Sequence, residues 1–268
     1  MNTPIYQVDA FTSQLFGGNP AAVMPLERWL PDDLLQAIAR ENQLAETAFL
    51  VPLENDEDGD FRIRWFTPTV EAPLCGHATL ASAWVLFNKL GWPGQSIRLQ
   101  SQSGPLAVER LDDGWLELDF PNLPAAPCQT PTLVKEALPG VPDQAFFVSR
   151  DPNYMVVLDS ENDVRQADPD LRKLAALGNQ GLIITAPGND CDFVSRYFAP
   201  GSGIDEDPVT GSIHSVMVPY WASILGSDRL EARQLSERGG ELRCELRGDR
   251  VAIAGQAAFF MEGSVQLP

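Results

Sequence analysis

Glu46, His77 and Asp207 are the side chains of this sequence best suited to moving a proton, and Cys75 is the nucleophile closest to them in the chain. Glu46 stands in Leu44-Ala-Glu-Thr-Ala-Phe-Leu50, where the flanks read as a strand start and an inward acid is costly unless partnered or functional. His77 follows Cys75-Gly76 at the head of an apolar run, and Asp207 precedes Pro208 shortly before another. Two acids and an imidazole are the groups that general acid–base catalysis uses. Each also has a plainer reading: a solvated edge-strand acid for Glu46, a hydrogen-bonded core histidine for His77, a turn-initiating side chain for Asp207. Asp205 and Glu206 read as a solvated acidic loop.

The two apolar runs are what must position these groups. His77 to Asn88 carries no formal charge and is apolar on every side of the helical wheel, which predicts a helix buried all round. At about twelve residues it is too short to span a bilayer. Ile213 to Leu225, reached through Gly211-Ser212, has the same design, with His214 as its titratable side chain. The first turn of such a helix offers unsatisfied N–H groups and the positive dipole end to an anion. Gly76, Gly211 and Ser212 are therefore candidate binders of a substrate carboxylate; the plainer role of a glycine there is to permit a tight turn. Cys75, as a thiol at a helix start, is expected to be acidified. A two-thiol racemase needs a second thiol at the matching place, and the matching residue is Thr210, so that chemistry is disfavoured.

The rest of the chain repeats itself. In the first half, strands are expected at Ile5–Asp9, Ala21–Met24, Glu46–Pro52, Arg62–Phe66, Ile97–Gln100, Leu106–Arg110 and Trp115–Asp119, with a helix from Pro31 and an acidic turn from Asn55 to Asp60. In the second, strands are expected at Gln144–Ser149, Tyr154–Leu158, Gly181–Thr185 and Phe193–Phe198, with a helix from Pro169. Overlaid, Arg64-Trp-Phe-Thr-Pro68 matches Arg196-Tyr-Phe-Ala-Pro200, Asn19 matches Asn153, and Gly76 matches Gly211. Glu46 falls opposite Gly181 and His77 opposite Ser212, and the second half carries an extra segment bearing Asp205, Glu206 and Asp207. Pro121 to Pro131, rich in proline and without periodicity, is the expected boundary. The predicted fold class is α+β: two pseudo-symmetric domains, 1–120 and 121–268, with the last residues free to pack back on the first. Each is a mostly antiparallel, barrel-like sheet wrapped round its own apolar helix.

Composition narrows the partners. With 268 residues and a formal charge of −18, the chain is a poor match for nucleic acid or an anionic membrane surface. The four cysteines are scattered without a C-x-x-C pair, and His77 and His214 are too few for a zinc cage, so no metal is expected. Met1 to Tyr6 lacks the pattern of a signal peptide, and a soluble, cytoplasmic protein with reduced thiols is the expectation.

Val8-Asp-Ala-Phe-Thr12, Gly18-Asn-Pro-Ala-Ala22, Glu46-Thr-Ala-Phe49, Phe66-Thr-Pro68, Cys75-Gly-His-Ala-Thr79 and Glu206-Asp-Pro-Val-Thr-Gly-Ser212 together resemble the phenazine-biosynthesis-like (PhzF-type) protein family, in that family's order along the whole chain. The resemblance implies the diaminopimelate epimerase fold, a homodimer, and a cofactor-independent isomerase acting on a small carboxylate in the crevice between domains. It implies Glu46 as the proton-transferring acid/base, His77 and Asp207 as assisting groups, and Gly76, Gly211 and Ser212 as carboxylate binders. Burial is how one carboxyl serves as both acid and base near neutral pH. The family's namesake isomerises trans-2,3-dihydro-3-hydroxyanthranilate. An epimerase or racemase acting on an amino or hydroxy acid, and a non-catalytic small-acid-binding protein, stay open as alternatives.

Overall fold

The computed structural model describes residues 2–54 and 58–267, so part of the acidic turn expected at Asn55 to Asp60 lies outside the described residues. In chain order the elements are β1 (Asn2–Ala10), β2 (Asn19–Pro25), α1 (Asp32–Asn42), β3 (Glu46–Pro52), β4 (Phe61–Phe66), β5 (Glu71–Ala72), α2 (Gly76–Asn88), β6 (Ser96–Ser101), β7 (Gly104–Arg110), β8 (Leu116–Pro121), β9 (Ala126–Gln129) and α3 (Thr132–Ala137). They continue as β10 (Gln144–Val148), β11 (Asn153–Val157), α4 (Glu161–Gln166), α5 (Leu171–Ala175), β12 (Gly181–Pro187), β13 (Phe193–Phe198), α6 (Gly211–Leu225), β14 (Arg229–Gln234), β15 (Gly240–Arg247), β16 (Arg250–Gly255) and β17 (Ala257–Gln266). Two compact units result: one runs to Asp119 and regains the chain from Ala254, and the other is Phe120–Ile253.

Strand pairing repeats between the units. In the first, β1–β2 is antiparallel, β2–β3 parallel, β3–β4 antiparallel, β4–β6 parallel and β6–β7 antiparallel. In the second, β10–β11, β11–β12, β12–β13, β13–β14 and β14–β15 follow the same sequence of senses. The outermost strand of each unit comes from the end of the other repeat. β9, which follows β8, pairs with β10 in the second unit, and β17, which follows β16, pairs with β1 in the first. This exchange puts a strand inside Pro121–Pro131, where proline content suggested none, and seats β17 in the first unit.

The central helices explain the apolar runs. From His77 to Phe87 every residue of α2 but Trp84 is buried. Its two hydroxyls are satisfied within the helix, Thr79 Oγ1 donating to the Cys75 carbonyl at 2.5 Å and Ser82 Oγ to that of Ala78 at 2.7 Å. Each buried leucine, valine or phenylalanine contributes about 1.5–3 kcal/mol, which outweighs the mediocre helix propensity of the β-branched and aromatic residues. α6 is buried from Ile213 to Val218 and at Trp221 and Ala222, but Pro219 and Tyr220 are half-buried and its last turn exposes Ile224 and Leu225, so the expected all-round burial stops short of the helix end. Around α1, Leu35, Ile38 and Ala39 pack with Met24, Phe49 and Phe66. The second unit has its own core, with Val156, Leu182, Ile184, Val194 and Phe198 at its centre. The helix expected from Pro169 begins at Leu171 and is capped by the Asp170 carboxylate, which accepts from the Arg172 and Lys173 amides.

Two details of the sequence overlay change. Phe66 faces Thr47 and Phe198 faces Leu182, which keeps Glu46 opposite Gly181. Asn153, however, faces Gly181 as Ala21 faces Glu46, so by register the partner of Asn153 is Ala21 and not Asn19. Glu71 and Glu206 stand equally far before Gly76 and Gly211 and make the same contacts, described below. The extra length of the second repeat therefore lies earlier, at the 3-10 turn Pro200–Ser202.

Candidate active site

Glu46 begins β3 and His77 occupies the first turn of α2, and the fold of the first unit brings them together: Glu46 Oε2 lies 3.1 Å from His77 Nε2. Both are buried, Glu46 at 8% and His77 at 5% exposure, so a solvated edge acid is excluded. Cys75 joins them, its Sγ 3.5 Å from His77 Nδ1. Asn19, at the start of β2 and fully buried, places its Nδ2 3.2 Å from the same Nδ1. An amide donating to Nδ1 fits the neutral ring with its proton on Nε2, toward Glu46. Turning the Asn19 amide over presents its oxygen instead and fits the imidazolium.

Burial alone would depress His77, but the neighbouring Cys75 and Glu46 outweigh it and hold the imidazole well above its ordinary 6.5. The Cys75 thiol is pushed up to about 11, first by burial and then by the Glu46 charge. Cys75 is thus a thiol at neutral pH, and the carboxylate of Glu46 is the charge that sustains the imidazolium. This reverses the acidified thiol expected from the helix start. The dipole end favours the anion, but complete burial beside a carboxylate costs more.

Asp207 lies in the second unit, buried to 8% exposure just before α6. Its Oδ2 accepts a short hydrogen bond from Thr210 Oγ1, and its backbone amide donates to the Tyr197 carbonyl at 3.1 Å. Buried Gln234 ties the segment down: its Nε2 donates to the Asp207 carbonyl at 2.8 Å, and its Oε1 accepts from the Thr210 amide at 2.9 Å. Gly211 and Ser212 form the first turn of α6 as Gly76 and His77 do in α2, with Thr210 and Cys75 as the extended residues before them. Their first-turn amides have no carbonyl within their own helix to bond, which is the property that suits them to an anion.

Each helix start is braced by an arginine. Arg64 forms a two-pronged pair with Glu71, Nε to Oε1 at 2.7 Å and Nη2 to Oε2 at 2.8 Å, and its guanidinium lies over Phe66. Arg196 pairs with Glu206 in the same way at 2.7 and 2.9 Å and lies over Phe198. Glu206 is therefore a strut, while Asp205 is exposed as expected. The braces, Asn19, Gln234 and the Cys75–His77 contact are not evident from the sequence alone. The matched Arg64 and Arg196, each followed by an aromatic pair and by a glutamate equally far from a helix-starting glycine, were the available signal.

A duplicated α+β fold, each half wrapped round an apolar helix, is that of the diaminopimelate epimerase-like proteins. A solved hydroxyproline epimerase of Agrobacterium vitis shares that fold at a TM-score of 0.63 and 12% identity, with 98% of this chain and 92% of that one covered. Closer relatives fix the family. The family model described as phenazine biosynthesis-like protein matches residues 8–263. A protein of Pseudomonas aeruginosa named as an uncharacterized isomerase is 49% identical over 100% of both chains. The crystal structure of a PhzF-family phenazine biosynthesis protein from Enterococcus faecalis superposes with a TM-score of 0.92 at 44% identity, covering 100% of both chains. The chain belongs to the phenazine biosynthesis-like (PhzF) family.

Proposed function

We propose that this protein is an isomerase that moves a proton on a small carboxylate substrate without a cofactor. The observation that carries the reading is the buried Glu46–His77 pair at 3.1 Å. Glu46, as carboxylate, takes a proton from an allylic carbon of the substrate; the π-electrons shift, and the same carboxyl returns the proton at the far end of the conjugated system. No atom is gained or lost. His77 steadies the carboxylate while it is charged and gives way as it becomes neutral, a change that the Asn19 amide tolerates in either orientation. The family resemblance assigns Asp207, Gly211 and Ser212 to the same substrate, with Gly76: Asp207 as proton relay and the helix-start amides as carboxylate binders. It also makes a homodimer the expected assembly, which light scattering on the purified protein tests directly.

The deciding experiment is incubation in D₂O with trans-2,3-dihydro-3-hydroxyanthranilate, wild type beside Glu46→Gln. Deuterium in an isomerised product from wild type alone supports both the reaction class and the base. An active Glu46→Gln overturns the assignment. Exchange by neither sends the search to other unsaturated carboxylates. Cys75→Ser separates this reading from a one-thiol epimerase, because only the epimerase loses all exchange with its thiol.

A further inference from the structure

Glu46, Cys75 and His77 are three different metal-ligating side chains buried together in the first unit, with donor atoms all within 4.8 Å of one another. His77 Nε2 is 3.1 Å from Glu46 Oε2 and 4.0 Å from Cys75 Sγ. A tetrahedral ion with N, O and S donors at about 2.0–2.3 Å holds those donors about 3.3–3.7 Å apart. The two observed spacings bracket that range. Glu46 Oε2 is buried and receives no well-directed hydrogen bond, so it keeps a lone pair for a further partner. A carboxylate and a thiolate also balance the charge of a divalent ion, which burial demands. Thiolate and imidazole favour zinc-class ions over magnesium or calcium. Two histidines and scattered cysteines cannot build a four-ligand cage, but three donors with an open fourth position need no more than this cluster. The second unit has no counterpart, since Gly181, Thr210 and Ser212 stand at the matching places.

We propose that Glu46, Cys75 and His77 form a three-donor site for a thiophilic divalent cation of the zinc class, with its fourth position open to water or a carboxylate ligand. Binding releases the thiol proton, and any proton on the ligating nitrogen of His77, to solvent. The ion ties up the carboxylate and imidazole, so the metal-bound form is the inactive form; that consequence rests on the proton-transfer reading above, whereas the binding itself does not. Asn19 beside Nδ1 orients the ring when Nε2 holds the ion.

Co²⁺ is the probe. Titrating the chelator-stripped protein with Co²⁺ is expected to raise a thiolate-to-cobalt charge-transfer band that saturates at one ion per chain and is erased by Zn²⁺. Cys75→Ser removes the band, Cys191→Ser keeps it, Glu46→Gln weakens binding, and Asn19→Ala weakens it about 10–100-fold. No band in wild type, or a band that survives Cys75→Ser, overturns the proposal. Should circular dichroism show Cys75→Ser unfolded, Zn²⁺ protection of Cys75 against alkylation in the wild-type protein decides instead, and a thiol alkylated equally fast with and without Zn²⁺ overturns the site. Cobalt binding together with an exchange-active Glu46→Gln sinks the proton-transfer reading alone. Exchange without cobalt binding sinks the metal site alone.

Discussion

In the first turn of α2, a buried histidine sits beside a carboxylate and a thiol; one turn into α6, a buried histidine sits beside a backbone carbonyl and a phenyl ring. His77 is held well above its ordinary 6.5, whereas His214 is pushed down to about 4 by burial, which its hydrogen bond to the Thr210 carbonyl only partly offsets. His214 Nδ1 lies 2.8 Å from that carbonyl, and its ring is tilted against Phe193. Burial lowers both, and for His77 the neighbouring Cys75 and Glu46 reverse the direction. The frame round each histidine is shared: an arginine–glutamate brace, an extended residue, a glycine, and an apolar helix. Duplication supplied the frame twice, and the buried carboxylate–imidazole pair stands on one copy.

The sharpest way to break that comparison is to remove the carboxylate. Glu46→Gln is expected to cost about 10²–10⁴-fold in deuterium exchange, the usual worth of a general acid–base group, while thermal unfolding shows the fold retained. The second half cannot compensate. At Gly181 a Cβ would collide with the Tyr197 ring and hydroxyl and come within 2.6 Å of Asn153 Oδ1.

The histidines give the next largest effect, with opposite signs. His77 has its folded pKa raised, so it favours the folded state fully below its unfolded value and loses that contribution as pH rises through the folded one. His214 is neutral in the fold, so the unfolded chain takes up a proton that the folded chain refuses; stability falls from about pH 6.5 toward about 4 and levels off below. At about 1.4 kcal/mol for each tenfold step, the loss amounts to about 3 kcal/mol. Urea denaturation across pH, on wild type and His214→Gln, checks this: the variant's acid-side slope should be flatter. An unchanged slope would show that His214 is not the proton acceptor.

The braces come third. Arg64→Ala and Arg196→Ala each remove a two-pronged, partly buried pair and should cost about 1–3 kcal/mol in denaturant midpoint. Lysine at either site keeps the charge but loses the fork and should recover only part. If Arg196→Ala also lowers exchange, the brace positions Asp207; if only stability falls, it is a strut.

The sequence made much of this legible because it is written twice. Two charge-free runs begun by glycines, and Glu46 facing Gly181, follow from pattern alone. What stayed hidden depends on register and on pairs distant in sequence. Asn19 and Asn153 look equivalent as letters, yet the parallel pairing of β2 with β3 and of β11 with β12 shifts them by two positions. Glu206 reads as one of three loop acids until Arg196 reaches it. Helix-start reasoning acidifies Cys75, and only the packing, with Glu46 beside it, reverses the sign. β9 is hidden by prolines that an outer strand tolerates.

The smallest predicted effect tests whether the shared frame extends to the helix carbonyls. Thr79 and His214 stand at matching positions, and each reaches back one turn to the carbonyl of the residue before its helix, Cys75 or Thr210. The Cys75 carbonyl also accepts from the Thr79 amide at 3.1 Å, so losing the hydroxyl leaves that carbonyl with one partner rather than none. Thr79→Val keeps the shape and deletes only the hydroxyl bond, and should cost about 0.5–1.5 kcal/mol in denaturant midpoint. It should leave the pH dependence of stability unchanged, because no titrating group is touched. His214→Gln removes a bond to the matching carbonyl and does change that dependence. A Thr79→Val loss well above this range would mean that the hydroxyl also holds Cys75, and through it His77, in place; exchange activity would then fall together with stability.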